Sequence, residues 1–363
     1  MSSHYNLLEV LLLSAKSRKP IISTFLIMVA IGIVLAYFLF SNKSTTLTED
    51  FIVIYSSYTD EKSALVTYSS DTQFNNYIIN DIALENIFKF NGKYIVSSRY
   101  SGKYHIFENG KIESHKFDDP KGITFSYSND QFAYFITNIG PKEIDDILYY
   151  QSGYTLIDDD YSEEYEDYNL GFFTTGTSFN SYIYILTFDP SIEKEQILKI
   201  DHNGDIIKKF TVSNTPSVNQ RSLISTNSNI IYVTNNGNVY FIDDNDQVKE
   251  NKINFDSEVL KVFENRGLTY IITYSGELYS INENSELTEK KLAFNLENRS
   301  ILMQAEATED SIFLLWQYDE KTEKNIGFIE EYSLADGEKK NEIQLMNIDD
   351  LNLTSFILYE GGN

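Results

Sequence analysis

The fold class that the sequence predicts is all-β: a seven-bladed β-propeller closed by its C-terminal strand and preceded by one N-terminal transmembrane helix. Three observations carry this expectation. A unit of β-branched and aromatic runs recurs without a gap at an offset of 39 residues, seven runs of the same kind are spread along the chain, and an uncharged run of 21 residues stands ahead of them all. Four short strands in roughly 40 residues make one propeller blade, and about 20 apolar residues make one membrane crossing.

Residues 1–19 read as a cytoplasmic N-terminus, in which Leu7, Leu8, Val10, Leu11, Leu12 and Leu13 form an apolar run too short to span a bilayer and suited to its inner surface or to docking a cytoplasmic partner. Residues 20–40, PIISTFLIMVAIGIVLAYFLF, hold no charge, and at about 1.5 Å per residue they cross a hydrocarbon core of roughly 30 Å. Lys16, Arg18 and Lys19 precede this run, whereas Lys43 beyond it is offset by Glu49 and Asp50, so the positive-inside rule leaves the N-terminus in the cytoplasm and exports the rest. A cleaved signal would have a shorter apolar core ending in small residues, and this one ends in Tyr37, Phe38, Leu39 and Phe40. Residues 41–49 read as a polar linker, and residues 50–363 as the extracytoplasmic propeller.

The repeat is explicit at residues 230–255 and 269–294. Thr234 matches Thr273, Gly237 matches Gly276, Tyr240 matches Tyr279 and Phe255 matches Phe294. The turn Tyr274-Ser275-Gly276 recurs as Tyr100-Ser101-Gly102, which carries the unit into the N-terminal half. Second-strand runs follow at FIVIYS from 51, KYIVSS from 93, QFAYFIT from 131, SYIYILTF from 181, NIIYVT from 229, LTYIIT from 268 and SIFLLW from 311, which makes seven. The third and seventh units are long enough to leave room for an eighth sheet. The first unit begins DFIVIYS with no strand before it, while the chain ends TSFILYEGGN, so residues 355–360 are expected beside 51–56 to close the ring.

Over about residues 50–360 the pattern resembles seven-bladed propellers of the quinoprotein-like or surface-layer-like kind. The resemblance is architectural. Gly-His and Trp-Asp signatures of WD40 repeats are absent, and of the quinoprotein repeat only Ala335-Asp336-Gly337-Glu338-Lys339 remains, so no quinone or other cofactor is expected.

With 29 basic and 54 acidic side chains the net charge is −25, which repels nucleic-acid phosphates and excludes nucleic acid as the natural partner. Removing residues 1–40, which carry Lys16, Arg18, Lys19 and Glu9, leaves 26 basic and 53 acidic, a net −27, so the acidity belongs to the exported part. The absence of cysteine removes disulfides, thiolate metal sites and a cysteine nucleophile. His4, His105, His115 and His202 show no metal spacing and read as exposed strand and turn residues; no metal is expected. Residues 158–167, DDDYSEEYED, hold seven carboxylates and read as a solvated loop from the third blade, which would at most meet a cation or a basic partner. Asp201-His202-Asn203-Gly204-Asp205 begins like a calcium loop but reads as a hairpin turn.

One spacing points to a site. Arg221 and Arg299 lie 78 residues apart, twice the repeat, so both lead into the innermost strands of their blades from equivalent loops. By resemblance to propellers generally, these loops and the turns between second and third strands share one face. Arg221, Arg299, Tyr100, Tyr274 and Trp316 would then border one opening, where guanidinium groups suit anions and aromatic rings suit sugars or apolar side chains. The function expected is a protein- or glycan-binding scaffold at a bacterial cell envelope. The rival class is an exported polysaccharide hydrolase or lyase with carboxylates at the channel mouth.

Overall fold

The computed structural model describes residues 49–363 except 70–73, 118–121, 130–131, 145–146, 159–162, 191–192, 214–221, 283–286, 289–299, 321 and 360–363. The run 20–40 lies outside these residues; among them no helix is long and apolar enough to cross a membrane.

Seven four-stranded antiparallel sheets follow one another around a ring. From the innermost strand outward, blade one consists of Asn352–Tyr359, Asp50–Ser56, Ser63–Tyr68 and Phe74–Ile79. Blade two is Leu84–Phe90, Lys93–Ser98, Lys103–Glu108 and Lys111–Lys116, and blade three is Ile123–Ser128, Ala133–Ile144, Ile147–Ile157 and Glu163–Tyr168. Blade four comprises Phe172–Phe179, Tyr182–Asp189, Lys194–Ile200 and Ile206–Ser213. Blades five and six are Leu223–Ser225, Asn229–Val233, Asn238–Asp243, Val248–Lys252 and then Val259–Asn265, Leu268–Thr273, Leu278–Ile281, Leu287–Thr288. Blade seven is Ser300–Ala307, Ser311–Tyr318, Asn325–Ser333 and Lys339–Met346. Every second-strand run counted in the sequence is a second strand. The C-terminal strand closes the ring, with Ser355 opposite Ile54 and Leu358 opposite Phe51. The extra length of the third unit goes into a long hairpin whose pairing continues to Ile144 opposite Ile147, and among the described residues there is no eighth sheet.

The core is divided among the blade interfaces. Phe51, Val53 and Tyr55 of blade one pack on Phe313, Leu315 and Ile329 of blade seven, while Ile52, Ile54 and Leu65 pack on Tyr94, Val96 and Phe107 of blade two. A second strand therefore buries both faces, and Phe51 to Tyr55 are all 0% exposed. This is why these runs are continuously apolar instead of alternating.

The aligned threonines fold the turns. The Thr234 hydroxyl accepts the Asn238 N–H at 2.9 Å, and that of Thr273 accepts the Glu277 N–H at 3.2 Å. Gly237 sits at φ +87°, and a Cβ there would lie 1.8 Å from the Ile253 carbonyl oxygen, so both conformation and space demand glycine.

Two expectations are corrected. Half of the acidic segment is no loop, because Glu163–Tyr168 pairs with Ser152–Ile157 as the outermost strand of blade three. An outermost strand has a free edge in solvent, where carboxylates are tolerated and oppose pairing with another chain. His105 is not exposed: it is 2% accessible and bonded to Asp81. The Asp201–Asp205 segment is the expected hairpin turn, with Asp201 Oδ1 accepting the N–H groups of Asn203 and Asp205 at 2.9 Å each.

Candidate functional site

Strands alternate in direction within a blade, so the turn between second and third strands and the link into the next blade emerge on one face. Hydrogen bonds between them bear this out. The Tyr274 N–H donates to the Glu258 carbonyl at 2.9 Å, the Ser275 N–H to Ser257 Oγ at 2.8 Å, and Ser101 Oγ to Asp81 Oδ2 at 2.9 Å.

Tyr100 and Tyr274 project from equivalent turns of blades two and six, 57% and 47% exposed. Trp316 is 4% exposed; it stacks on Phe328 at 6.0 Å within the cluster between blades six and seven, so its ring is enclosed and does not border the opening. Arg221 and Arg299 lie outside the described residues, although Leu223–Ser225 and Ser300–Ala307, which follow them, are innermost strands as their spacing predicts.

The same face carries a cluster that sequence reasoning missed. Arg99, the residue before Tyr100, places its guanidinium 5.6 Å from the Tyr100 ring centre and pairs with Glu85 at 3.2 Å. Burial, followed by the adjacent Glu85 carboxylate, pushes the Tyr58 hydroxyl up to about 12, so it stays a neutral donor at physiological pH. Tyr58, Glu85 and Arg99 come from blades one and two. Only the position of Arg99 beside the Tyr-Ser-Gly turn was visible in one dimension.

Beneath this face the Asp81 carboxylate, 1% exposed, accepts from His105 Nε2 at 2.8 Å, from Ser101 Oγ at 2.9 Å and from the Ile82 N–H at 2.8 Å. Nδ1 of His105 lies 2.9 Å from Ser114 Oγ. The row Ser–His–Asp has the order of a nucleophile triad, but its imidazole and carboxylate are sealed inside, and its bonds tie the link into blade two to the third strand of that blade. Its role is structural.

The seven innermost strands surround a channel with a cavity of about 290 Å³. Among the described residues, three charged ones line it: Lys89, Lys261 and Glu306. Lys261 Nζ pairs with Glu306 at 2.8 Å, and Gln304 Nε2 donates to the same carboxylate at 2.7 Å.

No family model matches the chain, and no curated protein matches it. Solved propellers do. A putative 6-phosphogluconolactonase from Bacteroides fragilis aligns over 88% of this chain and 99% of its own, with a TM-score of 0.55 and 11% identity. An acylaminoacyl peptidase from Pyrococcus horikoshii aligns over 80% of this chain and 50% of its own, with a TM-score of 0.53 and 12% identity. At such identities the likeness is one of fold alone. The class is therefore a seven-bladed β-propeller.

Proposed function

We propose that the chain is a membrane-anchored, extracytoplasmic propeller that binds a protein or glycan of the cell envelope on the face carrying Tyr100 and Tyr274, with Arg221 and Arg299 contributing from just ahead of blades five and seven. The observation that carries this reading is the pair of exposed tyrosines in equivalent turns of one face, one of them backed by Arg99. Rings held in this way offer contact area at small cost in side-chain entropy. The charge step across residues 20–40 supports an anchor with the propeller outside. Hydrolysis of a glycoside ordinarily uses two carboxylates, and among the described residues Glu306 is the single one lining the cavity, which favours binding over the hydrolase reading.

Binding of the full-length chain to purified cell-wall polysaccharide and to solubilised envelope proteins tests this. A Tyr100→Ala, Tyr274→Ala double variant is expected to bind at least tenfold more weakly while remaining folded. Wild-type affinity in that variant would move the site off this face, and glycan turnover lost in Glu306→Gln would replace binding with catalysis. Protease added to wall-stripped cells should degrade residues 50–363; their full protection would overturn the orientation.

A further inference from the structure

The outermost strand of each blade ends its sheet, and most of these edges are guarded. Lys111–Lys116, Glu163–Tyr168, Ile206–Ser213, Val248–Lys252 and Lys339–Met346 carry at least two charged side chains apiece, and Leu287–Thr288 is only two residues long. Charge and shortness are the ordinary protections of a sheet edge against a second chain. Phe74–Ile79 of blade one has neither: its six residues, FNNYII, hold no charge, proline or glycine. Residues 63–80 carry one charged side chain, Asp71, whereas residues 41–363 carry a net −27. A second copy is repelled by most of this surface and least by this part of it.

The strand pairs with Ser63–Tyr68 on one side, and among the described residues no strand pairs with its other side. The register shows which main-chain groups face outward. The Ser57 N–H donates to the Lys62 carbonyl at 3.0 Å, and hydrogen-bonded facing pairs alternate with non-bonded ones along an antiparallel ladder. The pairing continues from there without a shift, so Ala64 and Val66 turn their main-chain groups toward Asp50–Ser56, while Leu65 and Thr67 turn theirs toward Phe74–Ile79. Tyr77 and Asn75 face Leu65 and Thr67, which leaves the main-chain groups of Phe74, Asn76 and Ile78 on the outward edge. The side chains of these three are exposed as well, whereas Tyr77 and Ile79 pack toward Phe107 of blade two.

We infer that two copies of the chain associate through this edge, their Phe74–Ile79 strands pairing antiparallel about a two-fold axis at Asn76. In that register Phe74 of each copy faces Ile78 of the other, an aromatic with a β-branched residue, a pairing that stabilises sheets. The two Asn76 amides face each other, and each can donate and accept. Both halves of the contact are the same, so it closes at two copies and joins two four-stranded blades into one continuous sheet. The contact is roughly 20 Å long at about 3.4 Å per residue, smaller than a tight interface, so the association is weak and reversible. This edge lies apart from the face assigned above, and the inference stands without that reading and without the anchor.

The chain has no cysteine, so a single substituted one reports on its own position. In the inferred register the two copies of residue 76 lie about 5.5 Å apart at Cα, within reach of a disulfide, whereas the two copies of residue 74, and those of residue 78, lie roughly 14 Å apart. Full-length Asn76→Cys, Phe74→Cys and Ile78→Cys are oxidised in detergent at about 100 μM, a concentration suited to a weak contact. Asn76→Cys is expected to form a covalent dimer at least about tenfold faster than the other two. Sedimentation of the wild type should show a reversible monomer–dimer equilibrium that strengthens as sodium chloride screens the like charges. Ile78→Lys, a change at an exposed position, should abolish the dimer and leave the circular dichroism unchanged. A wild type that stays monomeric overturns the inference, as does a dimer that persists in Ile78→Lys or weakens in salt. Equal cross-linking at the three positions overturns it too. In intact cells, capture of a different protein by Asn76→Cys in place of a second copy would give the edge to that protein and likewise overturn the inference.

Discussion

Asp81 illustrates how one residue can hold two blades together. Burial alone would raise its carboxyl, yet the bonds from His105, the Ile82 N–H and Ser101 outweigh burial and hold it below the usual carboxylate range. Its main-chain carbonyl also accepts from Ser63 Oγ of blade one at 2.8 Å, while His105 and Ser101 belong to blade two. A depressed folded-state value contributes stability that is present above the unfolded value, near pH 4, and is lost as the pH falls through the folded value. Asp81→Asn should lower unfolding stability by about 1–3 kcal/mol at pH 7, and the gap from wild type should shrink below about pH 4. Urea unfolding of both proteins from pH 3 to 7 measures this. A gap that stays constant to pH 3 would mean that the ionised carboxylate contributes nothing.

At the scale of elements, the closing strand Asn352–Tyr359 makes the ring a ring. It pairs with Asp50–Ser56, Thr354 Oγ1 donates to the Leu84 carbonyl of blade two at 2.7 Å, and Phe356 is bonded on both main-chain groups to Gln304 of blade seven. Deleting residues 351–363 should therefore abolish cooperative unfolding of the whole propeller. The milder Phe356→Ala should cost about 3–5 kcal/mol, because Phe356 is fully buried against Phe51. Thermal unfolding by circular dichroism checks both, and an unchanged transition after the deletion would reject closure by this strand. The acidic strand Glu163–Tyr168 shows the converse: an element whose composition resists a core can still form a strand when three others present it with an edge.

Over the whole molecule, cohesion comes from interfaces between neighbouring blades, while a net charge of −27 on residues 41–363 pushes the surface apart. Exposed pairs such as Arg266–Glu309 at 2.7 Å leave most of this repulsion in place. Screening should then stabilise the fold, so raising sodium chloride from 10 to about 150 mM, where the screening length falls to about 8 Å, should raise the melting temperature. A fall in melting temperature would show that attractive surface pairs outweigh the net repulsion.

The number of blades, the identity of each second strand and the closing strand were legible along the chain, because a strand buried on both faces writes a continuous apolar run and a propeller repeats it. The turn threonines and glycines were legible as well, since their bonds close within five residues. The equivalence of Tyr100 and Tyr274 followed from the repeat. What joins residues distant along the chain was hidden: Arg99 with Glu85 and with Tyr58 of blade one, Asp81 with His105, and Lys261 of blade six with Glu306 of blade seven are set by the folded ring, and no local period announces them. Trp316 marks the limit of composition as a guide, for the sequence reads it as a ring at the opening, and packing against Phe328 puts it in the core. The sequence alone determined a repeating, closed sheet architecture because backbone pairing and apolar periodicity are local. Only the tertiary structure decided which charges face the channel, because that depends on the interface between each blade and the next.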